Sequence, residues 1–197
     1  MNTTKNITTG LSRKPLQTLL LAASVSFAAL VAAPVMAQNT AAPAMSHSDK
    51  SGQLAHADGK MLGDLVEGNR AEVQAGQLAL EKSQNADVKK FAQMMIDDHG
   101  KAVTEIEALA QSKGTKLPDG IGAMHKTKEV ALKAMSGHTF DREYAKRAGV
   151  GDHEATLKLL KKIQADGKDA DLKALADKMV PVVQGHLDMA KKLVSMK

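Results

Sequence analysis

Four long stretches of helical periodicity, paired by two tight turns and joined by one long connection, constrain the fold of this 197-residue chain most. From residue 60 onward Ala, Leu, Lys, Met, Glu and Gln dominate and runs of β-branched residues are missing, the composition of helix rather than strand. The spacing predicts a first helix over 60–83, with Leu62, Leu65, Glu72, Gly76 and Ala79 on its inner stripe. Asn85 is a cap for a second helix over 87–113, which carries Val88, Phe91, Met95, Ala102, Ile106 and Leu109 at helical spacing. Gly114 and Pro118 end it. A short amphipathic segment over 121–135 follows, broken by Ser136-Gly137. A third helix is expected over 139–165, capped by Thr139, and a fourth over 170–195, with Leu172, Leu175, Met179, Val183, His186, Ala190 and Leu193 on one stripe. Two tight hairpins joined by a connection of about 25 residues with its own short helix give an all-α, ferritin-like four-helix bundle with a long crossover.

The N-terminus reads as an address rather than as structure. Lys5, Arg13 and Lys14 precede an apolar run over 18–33, and Val35 and Ala37 supply small residues before Gln38. This is the layout of a cleaved secretory signal, with the cut expected after Ala37. The apolar run is shorter than the roughly 20 residues that span a bilayer. The expected product is therefore periplasmic, with no stable membrane insertion. Ser12-Arg13-Lys14-Pro15-Leu16 is one residue away from a twin-arginine signal, so both export routes stay open. The division is thus a signal peptide over 1–37, a flexible linker over 38–58 and the bundle over 59–197.

Removing the signal changes the charge balance. The full chain has 27 Lys+Arg against 22 Asp+Glu, and the first 37 residues hold three of the bases and none of the acids. The remainder has 24 bases against 22 acids, a net of +2, which removes most of the electrostatic footprint a nucleic-acid partner needs. Phe91, Phe140 and Tyr144 are the only aromatic residues in it, too few for a base-stacking platform. The absence of cysteine excludes disulfides, thiolate metal sites and thiol catalysis.

The turns act as a ruler for the chemistry-bearing residues. In an antiparallel hairpin, residues equidistant from the turn stand at one height, because each helix rises about 1.5 Å per residue. Glu72 and His99 are equidistant from the first turn, and His153 and His186 from the last. The four can converge mid-bundle as ligands of one transition-metal ion, with Fe, Mn, Zn and Cu all open. Asp98 and Asp141 are secondary candidates. Asp98 and Asp152 each directly precede a histidine and could orient a ligand. A carboxylate on an apolar stripe is costly without a partner, so Glu72 needs explaining most. Met95 shares a face with His99 and Met189 with His186, a pairing that suits Cu(I) or a haem, although Met also fills core gaps. Ile96, Val150 and Val183 stand three residues before the three histidines, so the Glu-x-x-His pattern of a di-iron oxidase is missing, which leans away from an enzyme without settling the point. The other reading of the same residues is a non-enzymatic envelope protein with a purely structural polar cluster. Gly149 and Gly151 weaken the third helix beside His153, and Pro181 is expected to kink the fourth.

Several blocks resemble the domain-of-unknown-function 4142 family, bacterial exported proteins in the ferritin-like superfamily often labelled outer membrane proteins. They are Glu72-Val73 with Leu78-Ala79, 91–99 with its Met-x-x-Asp-His ending, 137–144 with its Phe-Asp-x-x-Tyr, then His153, Pro181 and His186-Leu187. The resemblance spans about 60–197. It implies the four-helix ferritin-like fold and, since the family is named for lacking an assigned activity, no chemistry. Gly149 and Gly151 depart from the family's usual pattern.

Overall fold

The computed structural model describes residues 52–195. The expected signal peptide and most of the expected linker lie outside the described residues. The helices are α1 (His56–Lys82), α2 (Ala86–Ser112), α3 (Gly122–Lys133), α4 (Gly137–Tyr144), α5 (His153–Asp166) and α6 (Ala170–Ser195). A π-helical segment, Ala145–Asp152, joins α4 to α5, so the three pieces form one rod. Hairpin α1–α2 and the hairpin of that rod with α6 make the all-α, ferritin-like four-helix bundle. The connection between them carries the short helix α3. Among the described residues no helix is long and apolar enough to cross a membrane.

Local chemistry places most helix ends. The Asn85 side chain accepts from the Asp87 and Val88 amides at 2.8 and 3.2 Å, satisfying two donors that the helix cannot. Asp169 does the same for Asp171 and Leu172 at the start of α6, both at 3.0 Å. Gly114 supplies the positive φ of 57° just after α2. Gly76 lets the first hairpin close: a Cβ there would stand 2.9 Å from the Ala92 carbonyl oxygen on α2.

Two expected boundaries move. The first helix begins at His56, inside the expected linker, because Asp58 is a buried tether. Its Oδ2 accepts from the Lys168 and Asp169 amides at 2.9 and 2.8 Å, tying the start of α1 to the α5–α6 turn. The rod begins at Gly137 rather than Thr139, with Ser136 in the extended conformation before it. Its side chain makes no capping bond, so the break is made by backbone, with Gly137 at φ 54°. The α6 helix runs uninterrupted through Pro181.

The interior is layered. One apolar cluster gathers Leu62, Leu65, Val66, Ile106, Leu160, Ile163, Leu172 and Val183. A second gathers Leu78, Ala79, Phe91, Met95, Phe140, Tyr144 and Ala190. Asn69, Glu72, His99, His153 and His186 stand between them along the chain, and all five are buried. The bundle therefore encloses a polar layer between two apolar ones. Met95 belongs to the apolar cluster and serves as core.

Candidate metal centre

Each of the three histidines arrives on a different helical element. His99 is on α2, His186 on α6, and His153 is the first residue of α5, directly after the π-helical segment. They are 3, 1 and 3 % exposed for His99, His153 and His186. Their ring centroids are 5.2 to 5.5 Å apart. One ring nitrogen from each lies within 4.8 Å of the others.

What holds each ring decides which nitrogen is bare. The Asn69 Nδ2 donates to the Leu65 carbonyl at 2.7 Å, which turns Asn69 Oδ1 toward His99. Oδ1 can only accept, so His99 Nδ1 carries the hydrogen and donates to it at 2.8 Å. His153 Nδ1 donates to the Ala148 carbonyl at 3.0 Å. His186 Nε2 donates to Asp98 Oδ2 at 2.9 Å. An imidazole that donates from one nitrogen and is neutral has a lone pair on the other. The bare atoms are therefore Nε2 of His99, Nε2 of His153 and Nδ1 of His186. The last is buried without a partner. The first two face each other at 3.3 Å.

Burial disfavours protonation of His99 and His153. His99 is held well below the usual histidine range, first by burial and then by His153 and His186. His153 is lowered to about 4, chiefly by burial, against a smaller opposing effect of its Ala148 bond. Protonation therefore does not relieve the two facing lone pairs. An ion would: two nitrogens at about 2.0–2.1 Å from one tetrahedral centre stand roughly 3.3 Å apart, the spacing already present. Bringing the third nitrogen onto the same ion needs a shift on the order of 1 Å. The residues present thus fit a three-nitrogen metal site whose outer N–H groups are all anchored. The 3.3 Å gap leaves no slot for a haem between His99 and His153.

The π-helical segment shapes this site. Its wider turn brings the Ala148 carbonyl, five residues back, under the His153 ring. Gly149 permits it: a Cβ there would stand 2.8 Å from the Ala190 Cβ on α6 and 3.6 Å from the Phe91 ring. The two glycines expected to weaken this helix both lie in the widened segment, and α6 comes close at Gly149.

The other candidate residues fall elsewhere. Glu72 lies behind His153, with Oε1 3.9 Å from the outer Nδ1, and is not among the converging nitrogens. Its other oxygen is buried without a partner, and its carboxyl is raised well above the usual range by burial and then by Asp152. Tyr144, raised by burial and by Glu72, also keeps a buried hydroxyl without a partner. Asp141 is not brought to the histidines. It lines a cavity beside Asn85 and Leu193, around the α1–α2 turn, where one of its oxygens is unpartnered. Asp98 orients a histidine, but it is His186 on the facing helix rather than its neighbour His99. Asp152 pairs with Lys128 of α3 instead. Asn69 was not singled out by its sequence; its one signal is a poor helix former four residues after Leu65 on the inner stripe.

The fold has solved counterparts. CopM in its Cu(II)-bound form aligns with a TM-score of 0.60 at 17% identity, covering 70% of this chain and 95% of that one. CopM in the Cu(I)-bound form gives 0.59 at 15%, with the same coverage. A DUF305 fragment from Deinococcus radiodurans gives 0.65 at 12%, covering 73% and 98%. At these identities the likeness establishes the shared helical fold. The sequence matches no curated protein. The family described as Domain of unknown function (DUF4142) matches over residues 42–193. The chain belongs to the DUF4142 family.

Proposed function

We propose that this protein binds one transition-metal ion, copper foremost, at His99, His153 and His186, and does so in the periplasm. The observation that carries the reading is the pair of bare Nε2 atoms facing each other at 3.3 Å in a buried site. Two lone pairs held face to face are unfavourable unless a cation lies between them, and the anchors behind the rings prevent either from turning away.

Copper follows from the ligand set. Imidazole suits zinc, copper, iron and nickel, whereas manganese prefers oxygen ligands. The converging ligand atoms are all imidazole nitrogens, Glu72 behind them has its carboxyl raised well above the usual range by burial, and Asp98 reaches the site only through the outer nitrogen of His186. A site with no anionic ligand atom leaves a monovalent ion less costly to bury than a divalent one. Cu(I) and Ag(I) are monovalent, and copper- and silver-bound CopM share the fold. The basic and apolar N-terminal segment supports export, and a role in envelope metal stress is consistent with a binding site that lacks the carboxylates of a di-iron oxidase.

The reading is tested by purifying the protein from the periplasm, loading it with Ag(I) or with Cu(I) under reducing conditions, dialysing, and measuring bound metal. One ion per chain is expected, and none in a His99→Ala/His186→Ala double variant that keeps its helical signal. Equal, negligible metal in both would leave a purely structural polar layer.

A further inference from the structure

A cavity of about 100 Å³ between α2 and α6 has His99 and His186 among its walls. The antiparallel register sets its two ends. Asp98 on α2 meets His186 on α6 at 2.9 Å, and Glu105 on α2 meets Lys178 on α6 at 2.7 Å. With about 1.5 Å of rise per residue, the two pairs stand roughly 10–12 Å apart along the groove. Ala102, Val182 and Val183 form an apolar neck between them.

We propose that this groove is the path by which a metal cation reaches and leaves the three histidines. In it Asp98 receives the ion at the inner end and Lys178 sets the electrostatic barrier at the outer end. The proposal rests on the metal-binding reading and adds its route and rate. Asp98 is suited to the part because its side chain is 45% exposed while Oδ2 holds a ring nitrogen of the buried His186. One carboxylate thus faces both solvent and site. Lys178 lies over Glu105 and cancels the one other acid on the groove wall. An approaching cation therefore meets an outer end where Lys178 masks the Glu105 carboxylate and Lys101 adds a positive charge. On the opposite side of the bundle, the cavities lined by His125, Lys128 and Asp152 include none of the three histidines.

Tyr144 is the single tyrosine of a chain without tryptophan, and it packs 6.1 Å from Phe91, which is 6.4 Å from His153. Quenching of its fluorescence by Cu(II) therefore reports arrival at the site in a stopped-flow experiment. The full chain is compared with Lys178→Gln, Val182→Phe and Lys128→Gln, each checked for helicity and for Cu(II) stoichiometry at equilibrium. Lys178→Gln is expected to accelerate association about 3- to 10-fold at low ionic strength, an advantage that shrinks in roughly 0.5 M salt. Val182→Phe is expected to slow association and dissociation together, leaving Kd unchanged, and Lys128→Gln to match the wild type. Normal stoichiometry with rates that Lys178→Gln and Val182→Phe leave unaltered overturns the route, as does acceleration by Lys128→Gln. Absence of Cu(II) and Ag(I) binding by the wild type overturns the metal reading itself, and the route with it.

Discussion

His99 and His153 present their Nε2 atoms to each other at 3.3 Å, although they are 54 residues apart in sequence. Neither ring is free to turn. Asn69 Oδ1 holds one and the Ala148 carbonyl holds the other, from outside the cluster. The site is therefore defined as much by the acceptors behind the rings as by the rings, and the first prediction concerns those acceptors.

Asn69→Ala removes the acceptor for His99 Nδ1–H and lets the ring rotate. Metal affinity is expected to fall about 10- to 100-fold, measured by competition titration with Ag(I). The metal-free protein is expected to lose about 1–3 kcal/mol, because a buried donor is left unsatisfied. An affinity equal to wild type would remove Asn69 from the site.

Acid and base act on the polar layer in opposite senses. His153, lowered to about 4 in the fold against 6.5 when unfolded, binds fewer protons folded than unfolded below pH 6.5. Its contribution is fully present above 6.5 and is lost as pH falls toward 4, about 3 kcal/mol in all. Glu72, raised well above 4.5, does the reverse: its contribution is lost as pH rises from 4.5 toward the folded value. His99, also lowered by burial, adds to His153, so the melting temperature of the metal-free wild type is expected to fall as pH drops from 6.5 toward 4.5, with Glu72 offsetting part of the loss. Glu72→Gln removes that offset and is expected to fall more steeply with acid over the same range. Parallel melting profiles for the two proteins would contradict this assignment.

Gly149→Ala forces a methyl group to within 2.8 Å of the Ala190 Cβ, so either the π-helical segment or α6 must move. A cost of about 1–3 kcal/mol is expected, with weakened metal binding because His153 follows that segment. Gly151→Ala is the control. Its Cβ would meet only the Lys146 carbonyl at 3.5 Å, and a gain of about 0.5–1 kcal/mol is expected in thermal unfolding.

Asp58→Ala tests the tether between α1 and the α5–α6 turn. Loss of the acceptor for the Lys168 and Asp169 amides is expected to cost about 1–3 kcal/mol without changing metal stoichiometry, since Asp58 is remote from the histidines along α1.

The elements were legible because their signals are local. Asn85, Gly114 and the turn over 166–169 punctuate helices whose stripes repeat at helical spacing. The height of the three histidines was legible too, because a hairpin turn fixes which residues stand level. Facing was harder. Glu72 has the right height, but its side chain lies against the outer edge of His153, and no periodicity distinguishes the two sides of a ring. Asp141 lies twelve residues before His153, a separation of about 18 Å along a helix, and the ruler gave it no support. The Ala148 acceptor depends on the π-helical turn, of which Gly149 and Gly151 were the only trace. Asp58 is anchored by amides about 110 residues away, so nothing near it in the chain marks it as buried.

Bound metal per chain is the most direct measure of whether the three histidines hold an ion. Equilibrium dialysis of the purified protein against Ag(I), followed by elemental analysis, is expected to give one ion per chain for the wild type and none for His99→Ala/His186→Ala. The same negligible silver in both proteins, each folded by its helical signal, would contradict metal binding by the histidines.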